Sequence, residues 1–245
     1  MAYTQAGFID IHCHIVFGVD DGARDLKDSV NIVKMAYNQG IREMIATPHF
    51  ETGVYEDNQK EIHENFETLK KALEARAIKV KLHLGNEIYY SYGVVDNLEK
   101  GKINTLAGTR YVLVEFSPAD GFKYIKESLY ELVSAGYIPI LAHAERFPEV
   151  IKYEERVKAL IEEGSYIQIN AHTIAGGSGM MMRRRIIKYI QKGLVHFVGT
   201  DAHSTGRRSP DISGCLAWLR KKTDDETIRR IMIENQKKVI AGEYI

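Results

Sequence analysis

The chain has only two cysteines, Cys13 and Cys215, and no net charge, because 33 basic and 33 acidic side chains balance. Two thiols exclude a disulfide framework and fit a reducing cytoplasm. Zero charge removes the electrostatic reason to expect a polyanion such as nucleic acid. No apolar run approaches the length of a bilayer span, and residues 1–7 carry no hydrophobic signal region. Cysteine-phosphatase chemistry needs an arginine six positions after the nucleophilic thiol, and those positions hold Val19 and Lys221. Neither cysteine is therefore a candidate nucleophile. The glycines of 175–179 match no phosphate-binding spacing and read as a lid or connector, and the following Arg183, Arg184 and Arg185 as a solvated helix face.

What is present is ordinary in composition and regular in order. Apolar residues make up 44% and charged residues 27% of 245 positions, a soluble globular mixture sized for one α/β barrel. No linker or low-complexity stretch interrupts it, so residues 1–245 read as a single domain. Apolar strand-like runs fall at 8–14, 43–47, 80–87, 111–115, 138–142, 165–170 and 195–199. Between them, segments of helical period occupy 25–40, 57–77, 124–135, 153–163 and 183–192, several ending at a glycine. The tail from about 212 reads as two helical segments able to cover the open side of a barrel. Seven strands alternating with helices predict an α/β fold, a distorted seven-stranded (β/α) TIM-like barrel.

The chemistry-bearing residues sit where these strands end. His12 and His14 share one face of the first strand, with Cys13 on the other. Asp21 follows, then His49, Glu87, Glu115, His143, Asp201 and His203. Strand ends of a parallel barrel converge on one mouth. Nine imidazole and carboxylate donors gathered there exceed the four to six that one ion accepts, so two or three divalent ions are expected, with Glu87 and Asp201 as bridges. Such donors suit Mn, Fe or Zn. Closely spaced ions activate water and clamp both oxygens of a phosphoryl displacement. Asp20 beside Asp21 leaves the choice of ligand open, with Gly22 favouring Asp21. His63, His83 and His196 read as structural or solvated, while His172 lies in the mouth.

The motifs Ile11-His12-Cys13-His14, Val19-Asp20-Asp21-Gly22, Ala46-Thr47-Pro48-His49, Gly85-Asn86-Glu87-Ile88, Ala142-His143-Ala144-Glu145-Arg146 and Thr200-Asp201-Ala202-His203 resemble the PHP (polymerase and histidinol phosphatase) family. Within it the chain is similar to the CpsB/YwqE-type manganese-dependent protein-tyrosine phosphatases of Gram-positive bacteria. The likeness extends from about Phe8 to the last helices. It implies a PHP fold and a trinuclear Mn2+ site. One ion would lie on His12, His14, Glu87 and Asp201, a second on Glu87, Glu115 and His143, and a third on Asp21, His49 and His203. It also implies a phosphorylated bacterial tyrosine kinase, with a tyrosine-rich C-terminal tail, as partner, and control of capsular or extracellular polysaccharide biosynthesis.

Arg146 follows His143 by three residues and can grip phosphate with a two-pronged donor set, a role the resemblance also implies. Arg207 and Arg208 offer a second clamp; Arg208 fits the family's arginine-before-proline better, although Ser209 intervenes. Phe50, Tyr55, Tyr89 and Tyr90 are aromatic candidates for stacking on a substrate ring, and Phe50 and His172 are taken with Arg207 as substrate contacts. The expected reaction is hydrolysis of an aryl phosphate. A small-molecule phosphatase acting on a compound such as histidinol phosphate is the alternative. A binding-only barrel would have lost ligands, and none is missing here.

Overall fold

The computed structural model describes residues 7–56 and 58–245. Residues 1–6, read above as lacking a signal segment, and Asp57, read as the start of a helix, lie outside the described residues. In chain order the elements are β1 (Phe8–Cys13), α1 (Leu26–Asn38), β2 (Ile41–Ala46), β3 (His49–Phe50), α2 (Gln59–Ala75), β4 (Lys81–Leu84), β5 (Glu87–Tyr89) and α3 (Val94–Glu99). There follow β6 (Tyr111–Glu115), α4 (Phe122–Ser134), β7 (Ile138–Leu141), α5 (Pro148–Ile151), α6 (Glu154–Glu162), β8 (Tyr166–Asn170), α7 (Ala171–Ala175), α8 (Met180–Gln191) and β9 (Phe197–Gly199). The tail forms α9 (Ser213–Lys222), α10 (Asp225–Arg229) and α11 (Asn235–Ala241).

Helix boundaries have local causes. Asp25 caps α1 by accepting from the Asp28 N–H at 2.8 Å, and Val30, Ile32, Val33 and Ala36 form its buried stripe. Gly40, at φ +92°, then turns the chain into β2.

All strand pairings are parallel, in the orders β1-β2-β4 and β3-β5-β6-β7-β8-β9. Beyond β9 the Asp201 N–H donates to the His12 carbonyl and the His14 N–H to the Ala202 carbonyl, both at 2.8 Å, which brings the curled sheet round to β1. Among the described residues, nine strand segments stand where seven were expected. The second expected strand, 43–47, ends as β2 at Ala46, and a separate short β3 follows Thr47–Pro48; the third, 80–87, breaks at Gly85–Asn86 into β4 and β5. Proline has no N–H for the ladder. At Gly85 a Cβ would come within 2.7 Å of the Leu106 side chain, so a larger residue at this turn would have to displace Leu106.

Inside the curl, Ile9, Ile11, Ile45, Leu113, Ile140 and Phe197 pack together with Val239 of α11. The Tyr111 hydroxyl donates to the Glu243 carbonyl at 2.7 Å and the Tyr166 hydroxyl to the Ile245 carbonyl at 3.3 Å. Both tyrosines begin strands. α11 and the residues after it therefore seal the end where strands start, whereas the first residues of α9 border the strand-end mouth. Strict alternation from Ile9 and Ile11 would send Cys13 inward. A register irregularity between Asp10 and Cys13 instead packs Cys13 with the outer core and turns His12 and His14 in.

Candidate metal centre

The nine expected donors meet at the mouth. His12 Nε2 and His14 Nε2 lie 3.2 and 3.1 Å from Glu87 Oε2, and 3.4 and 3.6 Å from Asp201 Oδ1. His143 Nε2 approaches Glu87 Oε1 at 2.7 Å and Glu115 Oε2 at 3.3 Å. His49 spans two regions, its Nδ1 3.1 Å from Glu115 and 3.4 Å from Glu87, its Nε2 3.4 Å from Asp21. His203 Nε2 stands 3.1 Å from Asp21 Oδ1. Three groups have ligand atoms within 4.8 Å of one another: His12, His14, Glu87 and Asp201; His49, Glu87 and Glu115; and His14, Asp21, His49 and His203. Glu87 belongs to two of them, with one oxygen toward His143 and the other toward His12 and His14. His143 and Asp201 hold left-handed backbone, at φ +31° and +54°, a conformation that costs energy in any residue with a Cβ.

Hydrogen bonding fixes which ring nitrogens are bare. The His143 backbone N–H donates to Gln168 Oε1 at 2.7 Å, so that atom is an acceptor, and His12 Nδ1 must donate to it at 3.1 Å. The Gln168 amide then donates to Asn170 Oδ1, and Asn170 Nδ2 donates to Asp201 Oδ2, both at 2.9 Å. His14 Nδ1 lies 2.7 Å from Asp20 Oδ2, and His203 Nδ1 3.0 Å from the Asp201 carbonyl. With Nδ1 donating in all three, their Nε2 lone pairs face carboxylates. His12 Nε2 and His14 Nε2 are 3.4 Å apart, and the buried His203 Nε2 makes no hydrogen bond. Lone pairs packed against carboxylates repel unless cations lie between them. The donor set fits divalent ions.

Titration follows the same logic. Burial opposes protonation of His14, but the Asp20 and Glu87 carboxylates outweigh it and hold its pKa at about 9. Burial likewise opposes His143, which Glu87 and Glu115 raise to about 9, and His49, which Asp21, Glu115 and Glu87 raise to about 11. Burial pushes up the pKa of Glu87 and Asp201, yet the facing imidazoles drive both well below the carboxylate range. Protons on these rings do the neutralising that ions would do.

The loop between β1 and α1 separates two adjacent carboxylates. Asp20 is enclosed and uses both oxygens on His14, the His49 N–H and the Gly22 N–H. Asp21 stands at the rim, facing His49 and His203. Gly22 is needed because a Cβ would come within 2.3 Å of the His14 carbonyl.

Arg146 pairs with Asp201 Oδ2, and Arg208 reaches Asp201 Oδ1 at 2.8 Å and Asp21 Oδ2 at 3.3 Å. Arg207 is exposed and does not reach the donors. Arg146, Arg207, Arg208 and the exposed His172 line one cavity of about 460 Å³ with Asn170 and Asp201. The expectation for Phe50 is corrected: it is fully buried. In the two-residue β3, alternation points His49 to the mouth and Phe50 into the outer core. Tyr90 is also buried, donating to Glu131 at 2.6 Å, whereas Tyr55 stacks on His49 and Tyr89 is partly exposed. His63 bonds Asn104, His83 bonds Glu43, and His196 accepts from the Ile167 N–H, all away from the mouth. The residues missed from sequence are Gln168, Asn170 and Asp10, whose carboxylate accepts from the Thr200 N–H at 3.0 Å and the His12 N–H at 3.2 Å. Their signal was polar residues inside otherwise apolar strands.

The family described as capsular polysaccharide synthesis, CpsB/CapC, matches over residues 8–241. The chain belongs to the CpsB/CapC family. Tyrosine-protein phosphatase CpsB of Streptococcus pneumoniae is 32% identical over 242 residues, covering 97% of this chain and all of that protein. Tyrosine-protein phosphatase YwqE of Bacillus subtilis is 33% identical over 237 residues, covering 97% of this chain and 93% of YwqE. The fold superposes at a TM-score of 0.89, with 33% identity and coverage of 97% and 96%, on a crystal structure from work on YwqE and CpsB that describes them as metal-dependent tyrosine phosphatases. An Escherichia coli phosphotriesterase homology protein, 10% identical, aligns at a TM-score of 0.64 over 95% of this chain and 98% of its own and shares the fold alone.

Proposed function

We propose that this chain is a metal-dependent protein-tyrosine phosphatase with His12, His14, Asp21, His49, Glu87, Glu115, His143, Asp201 and His203 as metal ligands. The observation that carries the reading is the gathering of eight of these donors into three groups, two of them sharing Glu87, with His143 against Glu87 and Glu115 and with Nε2 lone pairs of His12, His14 and His203 turned toward carboxylates. Family membership supports the phosphatase activity. Divalent ions held there supply Lewis acidity and an activated water.

The chain's own groups do the rest. Arg146 and Arg208 both lean on Asp201. Both also line the adjoining cavity, where their guanidiniums would grip phosphate oxygens and take up charge that develops in the transition state, Asp201 being one of the residues that would hold an ion. Arg207 and His172 on the same wall contact substrate. Tyr55 and Tyr89 flank the aryl ring. A phenol with pKa about 10 leaves without strong general-acid help.

The finer assignments in the proposal are manganese as the metal, three ions, and a phosphorylated bacterial tyrosine kinase as substrate in polysaccharide control. We also assign a cytoplasmic location, in keeping with two unpaired buried thiols. Counting β2–β3 and β4–β5 as one interrupted strand each gives a seven-stranded PHP barrel in a single domain over the chain. The histidinol phosphate alternative uses the same ions and differs only in the ring flanks.

Elemental analysis of purified protein with turnover of a phosphotyrosine peptide and of histidinol phosphate tests the reading. Bound divalent metal and preference for the peptide are expected. Chelation abolishes turnover and thiol alkylation leaves it intact, Cys13 and Cys215 being buried. The reverse pattern rejects the mechanism.

A further inference from the structure

We propose that the groove between α8 and α9 binds an acidic, extended stretch of the same polypeptide whose phosphotyrosine enters the mouth. The inference rests on the phosphatase reading for the mouth but on separate residues for the groove. A depression of about 420 Å³ is lined by Met180, Arg183, Arg184, Lys188, Trp218 and Lys222, among others, and by no carboxylate. Helices α8 and α9 contain no acidic residue, in a chain whose total charge is zero. Glu154 beyond the far end engages Lys192 at 2.7 Å and Lys158 at 3.0 Å and stands 3.8 Å from Lys188, while among the described residues no carboxylate pairs with Arg184 or Lys222.

The groove is also preorganised. The Arg183 guanidinium lies 3.8 Å from the Trp218 ring centroid and donates to the Ala175 carbonyl at 3.3 Å. Met180, which lines it, is 57% exposed, an apolar edge beside the unpaired Arg184 and Lys222. A concave, cationic surface with an aromatic floor suits a peptide strand bearing carboxylates better than a flat bilayer.

Position links it to the mouth. Ser213 and Gly214, which begin α9, line the mouth cavity, and Trp218 and Lys222 line the groove. Ten helical residues are about 15 Å long, so a few extended peptide residues span the interval. One polypeptide held at both places gains effective concentration, which lowers KM and leaves kcat unchanged.

Trp218 is the only tryptophan, so intrinsic fluorescence reports directly on the groove. The full chain is titrated with an unphosphorylated acidic peptide of about ten residues, which spans roughly 35 Å, and with its neutral amide counterpart. A saturable, salt-sensitive change is expected with the acidic peptide alone, and its loss in the Arg184→Glu/Lys222→Glu variant. With metal-loaded protein, a phosphotyrosine peptide carrying the acidic flank shows KM about tenfold below the neutral-flank peptide. That advantage vanishes in the variant, while turnover of the neutral-flank peptide is unchanged. No fluorescence response, an equal response to the neutral peptide, or a KM advantage that survives in the variant overturns the proposal. So does a response to anionic phospholipid vesicles but not to the acidic peptide. Absence of turnover with both phosphopeptides rejects the phosphatase reading instead, and the fluorescence arm still decides the groove.

Discussion

Gln168, an uncharged residue, governs lone pairs on two charged-site elements at once. Its oxygen accepts from His12 and from the backbone that carries His143, and its amide passes the bonding on through Asn170 to Asp201. Gln168→Leu keeps the strand but frees the His12 ring to adopt the wrong tautomer. Metal affinity measured by competition with a chromogenic chelator is expected to fall about 10- to 100-fold, the scale seen when groups orienting a ligand are lost. Unchanged affinity would show that the amide is only packing. Arg146 makes the contrasting case, since it touches Asp201 from the substrate side. Arg146→Ala is expected to retain its metal by elemental analysis and to lose turnover about 100-fold or more, as for removal of one charge-stabilising donor. Metal lost together with activity would make Arg146 a structural partner of Asp201.

The breaks in the second and third strands aim His49 and Glu87 into the mouth. After Thr47–Pro48 and Gly85–Asn86 the chain re-enters the ladder, and β3 pairs β5 with His49 opposite Glu87. Gly85→Ala places a methyl against Leu106, so a stability loss of about 1–3 kcal/mol is expected from denaturant unfolding, with weaker metal binding because Glu87 lies two residues on. A variant as stable as wild type would mean that Leu106 yields freely. The end of the second strand at Thr47–Pro48 is legible, since proline leaves the ladder, but its re-entry as β3 is not, and the Gly85–Asn86 break lies inside one expected run. The long helices and strand positions were legible, since their periodicity is strong and their ends carry glycine or a cap. The short α3, α5 and α7 have too few turns for a period to register. Phe50 was misjudged because closeness to His49 in sequence says nothing of the face it occupies. Arg207 and Arg208 share a loop without periodicity, so only coordinates separate them. Gln168 stood out least, being 156 positions from His12 and a residue type without metal chemistry of its own.

Protons and metal ions compete for one site, and this sets how the whole molecule responds to pH. In the metal-free chain His14 and His143 have pKa values raised from 6.5 to about 9, and His49 to about 11. A raised basic group contributes stability that is fully present below its unfolded pKa and is lost as pH climbs through the folded value. Glu87, Asp201 and Asp21 are depressed, so their contribution is present above the ordinary carboxylate range and is lost only in acid. His203, lowered by burial, goes the other way from its neighbours. Metal-free protein is therefore expected to lose thermal stability steadily from pH 6.5 to 9. With divalent metal at fixed excess the slope should reverse over the same window. Ions bind only deprotonated rings, and their stabilisation grows as the apparent dissociation constant falls with pH. Thermal melts at half-unit pH steps, with chelator and with manganese, measure both slopes. Parallel curves would mean that these imidazoles do not exchange protons for ions, and that the gathering of nine donors at the mouth serves the fold rather than a metal.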